Sequence, residues 1–237
     1  MSAPITTLLH HPLLSHYLRF VATTVGRDKV LRTVQYFARF LSFYLLRKGY
    51  AKETIQPWAA IKGQFGTVRK AMRLGKNLEH AKAVSVALES KGDPIKSYLT
   101  AGRQLGYFGY LTLDNLAFFH LTSIRRFSPE TAKKITLNSQ KFWFMGLFFS
   151  LLNSLYTLRA LADEESRVKK TEAEGRLAVE RIAKQRKQVK TQLLSDACDV
   201  WLPVSSIGWW KLDDGVLGLL GLVSSVIGVR SAWRKSA

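Results

Sequence analysis

The sequence predicts an all-α, membrane-associated protein, with amphipathic helices in its N-terminal part and two to three hydrophobic helices after them that cross or embed in a bilayer. Three observations predict it. Apolar residues recur at helical spacing along most of the chain, with no convincing strand or hairpin signal. Long, nearly uncharged apolar tracts follow residue 95. Finally, 47% of the 237 residues are hydrophobic while 36 Lys and Arg stand against 17 Asp and Glu, a formal charge of +19. A chain this cationic and this apolar calls for a polyanion, either an anionic bilayer or nucleic acid.

The N-terminal stretch "MSAPITTLLHHPLLSHYLRF" lacks the pattern of a secretory signal, and the closing Lys-Ser-Ala is not the Ser-Lys-Leu peroxisomal address, so targeting is expected to be internal. From Gly26 to Lys48, Val30, Val34, Phe37, Phe40, Leu41 and Tyr44 mark one amphipathic helix, stopped by Gly49 after a basic turn. A second helical tract runs from near Thr54 to "SKGDP", where Gly92 is expected to take a left-handed cap and Pro94 blocks continuation. The tract 98–124 is apolar apart from Arg103, Asp114 and His120, and Ser128 with Pro129 opens the next helix.

That helix contains Phe142 to Leu158, seventeen uncharged residues, which at about 1.5 Å each reach roughly 26 Å, the low end of a bilayer span. Arg159 to Gln192 then reads as a solvated charged helix, with Glu165/Lys169, Glu172/Arg176 and Glu180/Lys184 at i,i+4 spacing. At the C-terminal end Gly215 to Val229 is short for a span unless Ile207 to Leu212 join it. Trp209 and Trp210 stand where an interfacial belt would lie, and Arg230, Arg234 and Lys235 close the other end. The division expected is an amphipathic region 1–94, a hydrophobic hairpin 95–160, a charged helix 161–195 and a C-terminal anchor 196–237.

Within the first region one segment carries the functional reading. At about 100° per residue, Ile61, Phe65, Val68, Met72, Leu74 and Leu78 share one half of the helical wheel. Lys62, Arg69, Lys70, Arg73 and Lys76 share the other. A polar face made only of cations is the mark of a helix lying in a membrane interface: the cations meet anionic lipid headgroups and the apolar residues insert below them. Gly63, Gly66 and Gly75 make the segment a weak helix in water. The alternatives are one wall of a soluble bundle, the ordinary reading of an amphipathic helix, and a nucleic-acid reader. The cation-only polar face weighs against the first; the hydrophobic tracts elsewhere and the lack of any zinc-finger, RNA-recognition or basic-zipper pattern weigh against the second, so no nucleic-acid partner is expected.

Two further patterns stand out. Lys96, Thr100, Arg103, Tyr107, Tyr110 and Asp114 form a polar stripe at alternating spacings of four and three. In a membrane helix that stripe is the starting point for an alternative function, a pore for small solutes through Lys96, Arg103 and Asp114. The plainer reading satisfies it against neighbouring helices. Gly221/Ser225 and Ser224/Gly228 repeat small residues four apart, which lets helices approach closely in lipid and points to a homo-oligomer.

Catalytic constellations are missing, and the five histidines have no carboxylates at ligand spacing, so neither enzyme, metal nor cofactor is expected. The lone Cys198 excludes an internal disulfide or a Cys-based zinc site.

The stretches "VQYFARFLSFYLLRKG", "RKAMRLGKNLEHAKA", "LGYFGYLTLDNLAFFHL", "QKFWFMGLFFSLL" and "SDACDVWLPVSSIGWWKLDDGVLGLLGLVSSVIGVRSAW", in that order, resemble the peroxin-11 family of peroxisomal membrane proteins in its fungal form. The likeness runs nearly end to end, weakest over 159–192. It implies a protein of the peroxisomal membrane that elongates it before division, promotes proliferation, self-associates and recruits fission machinery including a dynamin-like GTPase. It also implies that an N-terminal amphipathic helix curves the membrane, with Arg69, Lys70, Arg73 and Lys76 on lipid charge and Val68, Met72, Leu74 and Leu78 inserting.

Overall fold

The computed structural model describes residues 9–168 and 173–237, and among these the regular structure is entirely α-helical. The chain divides into two compact units, the first drawn from Met1–Met72 and Leu212–Ala237, the second from Arg73–Lys211. The expected N-terminal region is thus divided after Met72 and the C-terminal one after Lys211.

The first unit contains α1 (Pro12–Ala22), α2 (Thr24–Arg47), α3 (Lys52–Ala71) and α9 (Asp214–Lys235). The side chain of Thr23 caps α2 by accepting from Gly26 N, and Gly49, at φ +74°, ends the chain's run beyond it as the basic turn and glycine predict. Helix α9 runs antiparallel to α2 with its small residues inward. A Cβ added at Gly215 would lie 2.5 Å from the Phe43 ring, at Gly218 2.7 Å from the backbone N of Phe40, and at Gly221 2.2 Å from the Tyr36 ring. Arg32 donates to Ser224 Oγ at 3.1 Å. The face of Gly221, Ser224, Ser225 and Gly228, expected to meet a second copy, is therefore filled from within the chain by α2. Helix α9 is 22 residues long, about 33 Å, because it continues through Arg230 to Lys235. Ile207 to Leu212 do not join it, since Gly208 breaks the chain at φ +90°.

The second unit holds α4 (Lys76–Leu88), α5 (Pro94–Leu121), α6 (Pro129–Arg167), α7 (Ala173–Asp199) and α8 (Trp201–Ile207). Asp93 caps α5 through Ile95 N and Lys96 N, and Ser128 caps α6 through Thr131 N. The hydroxyl of Tyr156 donates to Asp93 and holds that carboxyl below its ordinary range. Helices α5 and α6 pack antiparallel at near backbone contact: a Cβ on Gly106 would sit 2.4 Å from Gly146 N. Tyr110 stacks on Trp143 with ring centroids 5.3 Å apart. The charged tract is shared between the end of α6 and α7. Its ion pairs run between helices, Arg181 to Glu164 and Arg186 to Glu165, and Ile182 is fully buried, so the tract is not solvated throughout. Of the i,i+4 pairs expected there, Lys169 and Glu172 lie outside the described residues.

Helices α6 and α9 are the two described helices long and apolar enough to cross a membrane. Beside the buried Leu147 and Leu161 of α6 and Leu217 of α9, both helices turn small residues inward and large apolar ones outward. Helix α6 buries Ser139, Ser150 and Ser154 while Phe148, Leu152 and Leu155 are exposed. Helix α9 buries Gly218, Gly221, Ser224 and Ser225 while Val216, Leu219, Val223 and Val226 form an exposed stripe. Small residues at the helix contact and large apolar ones outside is the arrangement that lipid, as the solvent, favours.

Candidate membrane-active segment

The single helix expected over Ile61 to Leu78 is two helices. Helix α3 ends at Ala71, the chain turns through Met72 to Gly75, and α4 starts at Lys76. The break falls where the chain passes from the first unit to the second. Its cause is local: Gly75 takes φ +78°, a left-handed conformation open at no steric cost to glycine. Lys76 N and Leu78 N bond back to Arg73 O and Gly75 O across the turn. Gly92, expected to be left-handed, is not among the positive-φ glycines. The upstream tract still obeys its glycines, because Gly66 lets α3 approach the side chain of Gln35, whose Nε2 would be 3.0 Å from an added Cβ.

The cations are placed differently from expectation. Arg69 is buried, with Nε 2.9 Å from Asp28 Oδ1 and a second bond of 2.8 Å to Gln35 Oε1. Lys62 pairs with Asp214, which also accepts from Arg39. In the second unit Arg73 lies 2.9 Å from Asp114 Oδ2, donates to Tyr110 Oη at 3.1 Å and sits over the Tyr110 ring. Three of the five residues expected on lipid headgroups are thus held by aspartates of the chain, one from α2, one from α5 and one at the start of α9. Lys70 is half-buried. Lys76, also half-buried, makes no ion pair among the described residues.

The apolar residues go the other way. Val68, Leu74 and Leu78 are 45%, 43% and 67% exposed, while Ile61, Phe65 and Met72 are half-buried. Around them α4 docks on α5 by polar contacts that periodicity does not reveal, Asn77 Nδ2 to Thr112 Oγ1 at 3.1 Å and His80 Nδ1 to Gln104 Oε1 at 2.7 Å. His80 also stacks on Tyr107. Asp28, Gln35, Asn77, His80 and Asp214 carry no motif. For Asp28 and Asp214 the signal in the sequence is only that carboxylates are scarce in a chain of this charge, so each has a cation waiting; for Gln35, Asn77 and His80 there is none.

The polar stripe of α5 is consumed in the same way. Asp114 is 2% exposed and bound to Arg73. Arg103 lies over the Tyr107 ring and acts electrostatically on Asp196. Lys96 remains exposed near the α5 N-terminus. Burial pushes the Asp196 carboxyl above its ordinary range, against the opposing effects of Ser150, Arg103 and Gln192. No cluster of metal-ligating side chains occurs among the described residues.

Comparison with known proteins places the chain. The family model of peroxisomal biogenesis factor 11 (PEX11) matches residues 14–233. The peroxisomal membrane protein PMP30B of Candida boidinii is 27% identical, over 95% of this chain and 96% of its own. The peroxisomal membrane protein PMP27 of Saccharomyces cerevisiae is 27% identical over 96% and 98%. Peroxisomal biogenesis factor 11 of Schizosaccharomyces pombe is 24% identical over 95% and 97%. No solved structure matches. With the match running from α1 to the last turn of α9, the chain belongs to the peroxisomal biogenesis factor 11 family and is a protein of the peroxisomal membrane, involved in peroxisome biogenesis.

Proposed function

We propose that the chain remodels and elongates the peroxisomal membrane by inserting the apolar side chains of residues 61–78 into one leaflet, and thereby promotes peroxisome fission and proliferation. The observation that carries this is the inverted placement of that segment, in which Val68, Leu74 and Leu78 face outward while Arg69 and Arg73 turn inward onto aspartates. In water this arrangement exposes grease and hides charge. Against a bilayer it is favourable, since fully burying a Val or Leu side chain is worth about 1.5–3 kcal/mol. Side chains inserted below the headgroups of one leaflet expand its area relative to the other, and the membrane bends toward the protein-coated side. The surplus positive charge, at about 1 kcal/mol per Lys or Arg near an anionic surface, holds the chain there, with α6 and α9 as anchors.

Self-association and recruitment of a dynamin-like GTPase belong to the same proposal and rest on the family resemblance alone. The test is reconstitution of the full chain into vesicles of phosphatidylcholine with phosphatidylserine. A Val68→Ser/Leu74→Ser/Leu78→Ser variant is expected to insert through its anchors yet lose vesicle tubulation by electron microscopy. Tubulation equal to that of the parent chain rejects the mechanism.

A further inference from the structure

The first helix presents an apolar surface that the fold leaves uncovered. Helix α1 starts behind His11, whose Nδ1 accepts from Leu13 N. At about 100° per residue, Leu13, Leu14, Tyr17, Leu18, Phe20 and Val21 fill a little under half its circumference, with Ser15 and Arg19 opposite. The fold uses one edge of that arc. Phe20 is buried edge-on to the Trp233 ring, centroids 5.4 Å apart, and His16 lies against the same ring at 3.9 Å. His16 Nε2 is 2.9 Å from Trp233 O, and Arg19 Nε donates to Ser236 O at 3.2 Å. The rest of the arc is bare: Leu13, Tyr17 and Leu18 are 64%, 46% and 56% exposed.

What covers this face follows from what α1 is fixed to. Trp233 lies in the last turn of α9, beyond the exposed stripe of Val216, Leu219, Val223 and Val226 that Arg230 and Arg234 continue. With that stripe in hydrocarbon, Trp233 sits at headgroup depth, where tryptophan and arginine concentrate. Helix α1 inherits that depth. Five exposed cations belong to these elements and their junction, Arg19 on α1, Arg27, which donates to Val21 O, and Arg230, Arg234 and Lys235 within three residues of Trp233, and neither α1 nor α9 beyond Asp214 contains an acidic residue.

We propose that α1 is an interfacial helix lying in the headgroup layer of an anionic bilayer, with Leu13, Tyr17 and Leu18 among the acyl chains and the five cations on lipid phosphates. It is a second lipid-contacting face, separate in sequence from residues 61–78, and it rests on the reading of α9 as a membrane anchor.

The test uses the full chain in a Cys198→Ser background, with a single cysteine placed by Leu13→Cys, Ser15→Cys or Val223→Cys and labelled with an environment-sensitive fluorophore. Each is reconstituted into phosphatidylcholine–phosphatidylserine vesicles and quenched by a lipid-borne spin label, shallow for positions 13 and 15 and deep for position 223, about 15 Å back along α9 from Trp233, or by aqueous iodide. Positions 13 and 223 are expected to be quenched by the lipid label and shielded several-fold from iodide, and position 15 the reverse. Lipid quenching at 223 with iodide access at 13 overturns the inference and leaves the anchor standing. Iodide access at both removes the anchor and the inference together. Shielding of position 13 from both quenchers means that protein, a second copy of the chain, covers the face, and that too overturns it.

Discussion

Replacing Asp114 with Asn tests the joint between α4 and α5. Arg73 and Asp114 are 2.9 Å apart, and two unit charges at that distance attract by about 6 kcal/mol at an effective dielectric constant of about 20. Part of that attraction offsets the cost of burying the carboxylate, whose side chain is 3% exposed. An amide retains an acceptor but not the charge, so the guanidinium keeps a hydrogen bond at position 114 and loses that carboxylate's attraction. Removing one member of a buried pair costs about 3–5 kcal/mol, and the partial exposure of Arg73 puts the expectation at the low end, about 3 kcal/mol. At about 1.4 kcal/mol per tenfold, α4 should open roughly 100-fold more often. Hydrogen–deuterium exchange of the full chain in detergent micelles, read on peptides covering 76–88, measures this directly, with residues 29–43 of α2 as the internal reference. An exchange rate in α4 that does not change refutes the assignment of the pair as the joint. The double variant Arg73→Met/Asp114→Leu should recover most of the protection, since apolar replacement of a buried pair is often neutral or better. If the double variant opens as much as Asp114→Asn, charge is not the cause.

Other expectations are equally direct. Gly106→Ala places a Cβ 2.4 Å from Gly146 N and 2.5 Å from its Cα, backbone that no rotamer change can move, so the thermal midpoint in micelles should fall by at least the equivalent of about 1–3 kcal/mol. An unaltered midpoint would mean that α5 and α6 do not touch there. Gly218→Ala places a Cβ 2.7 Å from the backbone N of Phe40 and should lower the midpoint likewise; an unaltered midpoint with loss of crosslinked dimers instead would return the small-residue face of α9 to a second copy. Asp196 titrates above its ordinary value of 3.8 because burial disfavours the charge, so its contribution to stability is most favourable at low pH and declines as pH rises from that value toward the raised one. Asp196→Asn should remove that decline and be neutral or stabilising at neutral pH. Destabilisation at neutral pH would show that the Arg103 attraction outweighs burial.

How much of this was legible beforehand depended on whether the signal was local. Most caps and stops were: Gly49, Ser128 and Pro129 act where they stand in the sequence, as does the run from Phe142 to Leu158, although Gly92 does not take the left-handed cap expected of it. The break at Gly75 was half legible, since the glycine was recognisably weak in a helix, but only its φ of +78° separates a strained turn of helix from a stop. The destination of Arg69 and Arg73 was not legible, because Asp28 is 41 residues from the first and Asp114 is 41 from the second, and a helical wheel carries no information at that range. The small residues of α9, expected at a contact between copies, lie in the structure against α2. Periodicity fixes a face but not what packs on it, and within one chain that is α2.

That pairing has a consequence for the order of synthesis. Helix α2 leaves the ribosome early, with Arg32 and Arg39 on it, whereas the groups that receive them, Ser224 and Asp214, lie in the last helix to be made. The first unit therefore cannot close until α9 has been made, 175 to 192 residues after the arginines that it receives. All of the second unit, from Arg73 to Lys211, is synthesised in between, so the unit that begins first is completed second.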